Sequence, residues 1–100
     1  MIYFLNIQQM YKIIYSEKVK DDLTKIKDFI ILDNPIYALK TINSIIKTIN
    51  LLENFPYIWK ELWDNLRELV ENNYKYKIVY KIYINTITII SIYKYQKNWK

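Results

Sequence analysis

The side chains able to do chemistry here are few in kind. There is no His and no Cys, which excludes imidazole bases, thiol nucleophiles and zinc-binding Cys/His sets. There is also no Gly, so the phosphate-cradling loops that need close backbone approach are excluded too. Lys, Arg, Tyr, Asp and Glu remain. Arg67 is the single arginine among fourteen lysines. It marks either a place that needs a planar bidentate fork or an ion pair with Glu68, Glu71 or Asp64, and residue types leave both open. Lys75, Lys77 and Lys81 recur at strand spacing, and Lys94 and Lys97 follow with Tyr95 between them. Cations that track phosphate, with rings that stack on bases, suit RNA. A lysine row is also an ordinary solvated sheet face that resists edge aggregation, and on residue types alone this is the better-supported reading. Trp59 and Trp63 are expected to pack into the core or a lid, whereas Trp99, beside the basic tail, fits packing or stacking equally well. The carboxylates fall singly apart from Asp21 and Asp22, so no metal site and no cofactor are expected.

Those residues must be positioned by one domain, the number that 100 residues support. At 52% hydrophobic and 25% charged, the chain is too apolar for disorder. The net +5 is unevenly spread. Nine cations and ten acids precede residue 72, while the remainder has six lysines and no acid. That basic block implies an acidic or polyanionic partner. Drift toward A/T-rich codons explains abundant Ile, Lys, Tyr and Asn, but not the loss of acids after Glu71. The longest uncharged stretch, Ile82 to Tyr93, is twelve residues, against the roughly 20 of a membrane helix. The N-terminus has no basic region or small-residue cleavage site, so a cytoplasmic protein without a membrane partner is expected.

Tyr11 to Tyr15 reads as a first strand, and Ser16 as the cap of a helix whose apolar stripe is Val19, Leu23, Ile26 and Ile30. Asn34-Pro35 opens a second helix, with Ala38, Ile42, Ile45, Ile46, Ile49 and Leu52 on its inner face. Leu66 to Val70 reads as a strand and Asn72-Asn73 as a turn. Tyr74, Tyr76, Ile78, Tyr80, Ile82 and Ile84 alternate with Lys75, Lys77, Val79 and Lys81. After a turn at Asn85-Thr86, Ile87 to Tyr93 is apolar on both faces, as a central strand would be. The expected class is α+β, in the order β-α-α-β-β-β, with an antiparallel helical hairpin packed on a small, mostly antiparallel sheet.

This pattern resembles the RelE/ParE toxin superfamily, the toxin halves of bacterial type II toxin–antitoxin modules, often described as plasmid stabilisation proteins. The residues that carry it are Tyr11 to Ser16 with Asp22-Leu23, Asn34-Pro35 with Ala38, and Leu52 with Phe55-Pro56. Leu66 to Leu69, Tyr76 to Tyr80, and Ile89 to Tyr93 leading to Asn98-Trp99 continue it, so the resemblance spans roughly residues 10–99. It implies a single toxin-like domain over 10–100. Residues 1–9 then form an N-terminal extension, either disordered or lying along the sheet edge.

The resemblance implies two modes of action. RelE-like members cut mRNA in the ribosomal A site, with basic groups on the phosphate and a second group moving the proton. Arg67 falls on the recurrent arginine, Lys94 where many members carry histidine, Tyr95 where some carry a terminal tyrosine, and Glu61 where some carry glutamate. For such an endonuclease the catalytic residues would be Arg67, Lys94 and Tyr95. ParE-like members instead poison DNA gyrase without catalysis. Lys94 in place of histidine removes a group that titrates near neutrality, which favours ParE-like action. Target binding would then fall to Lys75, Lys77, Lys81, Lys97 and Trp99. The expected partners are a cognate antitoxin, in a hetero-oligomer, and either gyrase or the ribosome with its mRNA. A non-toxic nucleic-acid-binding module is a third reading, resting on the lysine face alone.

Overall fold

Alternation of Ile13 and Tyr15 with Lys12 and Ile14 produces the first strand, β1 (Lys12–Tyr15). The computed structural model describes residues 10–95, so the expected extension at 1–9, Lys97 and Trp99 lie outside the described residues. Ser16 ends β1 and caps α1 (Glu17–Ile31), its Oγ accepting from the Val19 N–H at 3.1 Å. Asn34 repeats the device for α2 (Pro35–Asn50), accepting from the Tyr37 N–H at 3.0 Å, with Pro35 in the first turn. Each cap satisfies an N–H that has no partner within the helix. A single 3₁₀ turn, Leu51–Glu53, follows α2.

Four more strands complete the fold: β2 (Lys60–Trp63), β3 (Leu66–Glu71), β4 (Tyr76–Ile82) and β5 (Thr86–Lys94). The sheet order is β1-β5-β4-β3-β2. β1 runs parallel to β5 and the other pairs are antiparallel. β5 therefore lies inside the sheet, which is why both its faces are apolar. Past the end of β1, its edge is completed by Asp22, whose carboxylate accepts from the Ile92 N–H at 3.1 Å.

The hairpin covers one face of this sheet, and the core forms between them from Val19, Ile45, Ile49 and Leu52 against Leu69, Ile78, Tyr80, Ile87 and Ile89. One acid is built into this layer. Glu71, 2% exposed, accepts from the Ser44 hydroxyl at 2.6 Å and from the Asn73 and Tyr74 N–H groups at 3.1 and 2.9 Å. It ties α2 to the β3–β4 turn. No helix among the described residues is long and apolar enough to cross a membrane.

The structure corrects the sequence reading in four places. β2 was not expected: all four of its residues are exposed, so it shows no alternation. It pairs with β3 through the two-residue turn Asp64-Asn65, both left-handed at φ 42° and 65°, the geometry of a tight hairpin. At the next turn the left-handed residue is Lys75, at φ 68°, rather than Asn72 or Asn73. Ile84 does not join the inward row, because β4 ends at Ile82; it stands 87% exposed in the following turn. Trp63 does not pack inward either and is 75% exposed on the hairpin.

Candidate functional site

Arg67 is placed by strand parity. It shares a face with the buried Leu69 and Glu71 and lies opposite the buried Tyr80 on β4, which puts it on the helix side of the sheet. Its side chain is only 14% exposed. The guanidinium is spent on protein through one nitrogen, while Nε is buried with no hydrogen-bond partner among the described residues. Nη1 donates to the carbonyls of Trp59 and Tyr57 at 2.8 and 3.2 Å, and Nη2 lies 3.7 Å from a Glu61 carboxylate oxygen. The guanidinium also sits 5.2 Å from the Tyr57 ring centroid. Beside it, the Tyr80 hydroxyl donates to the Pro56 carbonyl at 2.7 Å. Burial raises the Tyr80 pKa, and the charge of Arg67 pulls against that shift. Arg67 and Tyr80 together hold the loop between the 3₁₀ turn and β2. The acid beside Arg67 is Glu61. Glu68 faces the other side of the sheet and Glu71 is occupied by α2.

Lys94 and Tyr95 are not gathered around Arg67. Lys94 pairs with Tyr76, four residues along β4 from the partner of Arg67, and on the other side of β4 from it, which separates them by about 13 Å along the strands and by about 10 Å across them. It lies on the helix side, with its ammonium 5.5 Å from the Tyr76 ring centroid. Tyr95 falls on the opposite face, where Lys77 stacks on it at 5.0 Å. Core residues such as Ile78 and Ile92 fill the space between Arg67 and Lys94. An RNA phosphate held by Arg67 could not also meet Lys94 or Tyr95 in this arrangement.

The sheet face away from the hairpin carries Lys77 and Lys81, with Lys75 on the turn below them. This face is not uniformly basic. Glu68, 8% exposed, lies within 3.5 Å of the Lys77 ammonium and accepts from the Tyr93 hydroxyl at 2.9 Å. Burial, and then the Glu68 carboxylate, raise the Tyr93 pKa. Lys81 has no acid partner among the described residues and reaches over the Tyr83 ring at 5.9 Å. The face offers spaced cations with aromatic neighbours, one of them, Lys77, paired with Glu68.

Two features were missed from sequence. One is the Arg67–Tyr80 fastening of the loop. The other is a cleft at the far end of the hairpin, lined by side chains from α1, α2, β4 and β5. Neither leaves a local signal, because each joins residues distant in the chain.

A family model described as "ParE toxin of type II toxin-antitoxin system, parDE" matches residues 13–99. Among solved structures, the "Chromosomal ParDE TA system from P. aeruginosa" is similar at a TM-score of 0.78 and 18% identity, over 89% of this chain and 100% of that one. At that identity the likeness concerns the fold. No curated protein sequence matches.

Proposed function

Because the chain belongs to the ParE toxin family of type II toxin–antitoxin systems, we propose that it arrests growth by a ParE-like action on DNA gyrase, in the cytoplasm, by surface contact rather than RNA cutting. The observation that carries this reading is the use of Arg67. Its Nη1 holds the carbonyls of Tyr57 and Trp59, and Lys94 and Tyr95 lie away from it on opposite faces of the sheet. A toxin that binds its target needs no acid–base set, only a shaped, charged surface. Lys75, Lys77 and Lys81 supply that surface, with Lys97 and Trp99 in the segment that follows. Separated cations suit a DNA-bound protein target, whose field favours them. A cognate antitoxin is the second partner, and a complex with it masks the toxin.

The test runs two assays on one preparation. Purified chain is added to gyrase with supercoiled DNA, and separately to translating ribosomes. The expected result is blocked supercoiling or trapped cleaved DNA, weakened by Lys77→Glu and Lys81→Glu, with no A-site cuts. Cuts in mRNA that vanish in Arg67→Ala, with gyrase unaffected, would establish the RelE-like mode instead.

A further inference from the structure

The end of the sheet at the β4–β5 turn is apolar and open. The Tyr83 N–H donates to the Thr86 carbonyl at 2.8 Å, which puts Ile84 in the turn beyond β4. Turns favour small or polar residues, and nothing in this one calls for a tyrosine followed by an isoleucine. Both side chains are exposed. Phe55, Tyr57 and Ile58 are exposed as well, although Arg67 and Tyr80 fix the backbone of their loop. A cleft of about 380 Å³ joins the two groups, and its lining includes Tyr57, Lys81, Ile82, Tyr83 and Ile84. A platform already held in place costs an incoming group little to organise. Exposed apolar residues gathered in this way mark an interaction surface.

The start of β1 lies at this same end. The Tyr11 N–H donates to the Glu53 carbonyl at 3.0 Å and the Lys12 N–H to the Asn85 carbonyl at 3.1 Å. Met10, 60% exposed, therefore sits between the 3₁₀ turn and the β4–β5 turn. Burial, and then the neighbouring Tyr57 hydroxyl, raise the Tyr11 pKa, so the loop lining the cleft is close by. Nine residues precede Met10, six of them hydrophobic and none with a charged side chain. Phe4 and Leu5 are six and five residues before Met10, a reach of about 17–20 Å for extended chain. The cleft, between the β4–β5 and β2–β3 turns, is two to three strand spacings from β1, or about 10–14 Å. The tether is long enough.

Other occupants fit less well. Lys81 lines the cleft and makes no ion pair among the described residues, so a second copy of this chain, at net +5, would bring like charge against it. Nucleic acid would leave the apolar walls unfilled. An uncharged segment of the same chain avoids both penalties, and a short tether holds it at a local concentration on the order of millimolar. We propose that residues 1–9 turn back across this end of the sheet and dock Phe4 and Leu5 in the cleft, against Tyr57, Tyr83 and Ile84. The placement is across the strand ends rather than along the edge of β1. Because Lys81 lines the same cleft, the docked segment borders the lysine face. The inference stands independently of the target proposed above.

The test is nuclear magnetic resonance on the full chain. Nuclear Overhauser contacts are expected between the Phe4 or Leu5 side chain and Tyr57, Tyr83 or Ile84. A mixture of labelled and unlabelled chains, filtered for contacts between molecules, should lack them. Phe4→Asp lies outside the core and is expected to abolish the contacts and to shift the signals of Tyr57, Tyr83 and Ile84. Phe29, which lines a cleft with Tyr76 and Lys94 at the opposite end of the sheet, should not shift. Ile84→Asp alters an exposed turn residue and is expected to shift Phe4 and Leu5 in return. Wild-type signals for Tyr57, Tyr83 and Ile84 in Phe4→Asp would overturn the proposal. So would contacts of residues 1–9 confined to Ile14 on the edge of β1, or no contacts at all. Contacts found only between molecules would overturn it in favour of a second copy.

Discussion

Removing the Arg67 side chain separates a fastening role from a catalytic one. In Arg67→Ala the loop loses two charge-assisted hydrogen bonds, at 2.8 and 3.2 Å, and one ion pair at 3.7 Å to a Glu61 that is 48% exposed. Hydrogen bonds to a charged group are worth about 1.5–3 kcal/mol each, and the longer one belongs at the low end. The ion pair adds roughly 0–1 kcal/mol because its acid is solvated. These terms share one group and do not add fully, so a loss of about 3 kcal/mol is expected. In a domain of this size that lowers Tm by about 12–24 °C. Arg67→Lys keeps the charge without the fork and is expected to lose about half as much. Urea unfolding supplies the energies, and hydrogen exchange in the segment 57–61 shows whether loosening is local. A variant as stable as wild type that nonetheless abolishes mRNA cleavage on ribosomes would refute the reasoning, since the guanidinium would then serve a phosphate.

Other expectations follow from single contacts. Glu71→Ala should cost about 3 kcal/mol by urea unfolding, since Ser44 and the Asn73 and Tyr74 N–H groups all lose their acceptor; an unchanged midpoint would mean that the buried carboxylate is dispensable. Tyr80, Tyr76 and Tyr93 are all held above the usual phenol range, chiefly by burial. The unfolded chain therefore loses these protons first, so stability is fully present below about pH 10 and falls as pH rises beyond it. Tyrosinate absorbance followed beside circular dichroism should show ionisation and unfolding together, and free titration of all the tyrosines in a folded chain would contradict this. Asn34→Ala removes the α2 cap and should cost about 1 kcal/mol, read from thermal unfolding against Asn34→Asp, which should retain most of it.

Much of this fold could be read from local patterns. Ser16 and Asn34-Pro35 marked the helix starts because capping is a contact between near neighbours. The alternation from Tyr76 to Ile82 marked β4 because burial on one face imposes a two-residue period. Where burial did not sort the residues, sequence was silent. β2 is exposed throughout, and its place at the sheet edge comes from pairing with β3. A register shift in the β4–β5 pair turns Ile92 inward together with Ile87 and Ile89, and simple alternation along β5 cannot anticipate it.

Composition alone determined that imidazole bases, thiol nucleophiles, Cys/His zinc sets and glycine-dependent phosphate loops were closed to this chain, since His, Cys and Gly are missing outright. The order of helices and strands was likewise written in neighbouring residues. The use of Arg67 was decided only by tertiary structure. Its parity on β3 turns it toward the hairpin, where the carbonyls of a loop eight to ten residues earlier take both hydrogen bonds of Nη1. The same holds for Lys94 and Tyr95, adjacent in sequence and opposite in space, because a strand sends successive side chains to opposite faces. Residue types are local, but a site exists only where distant segments converge.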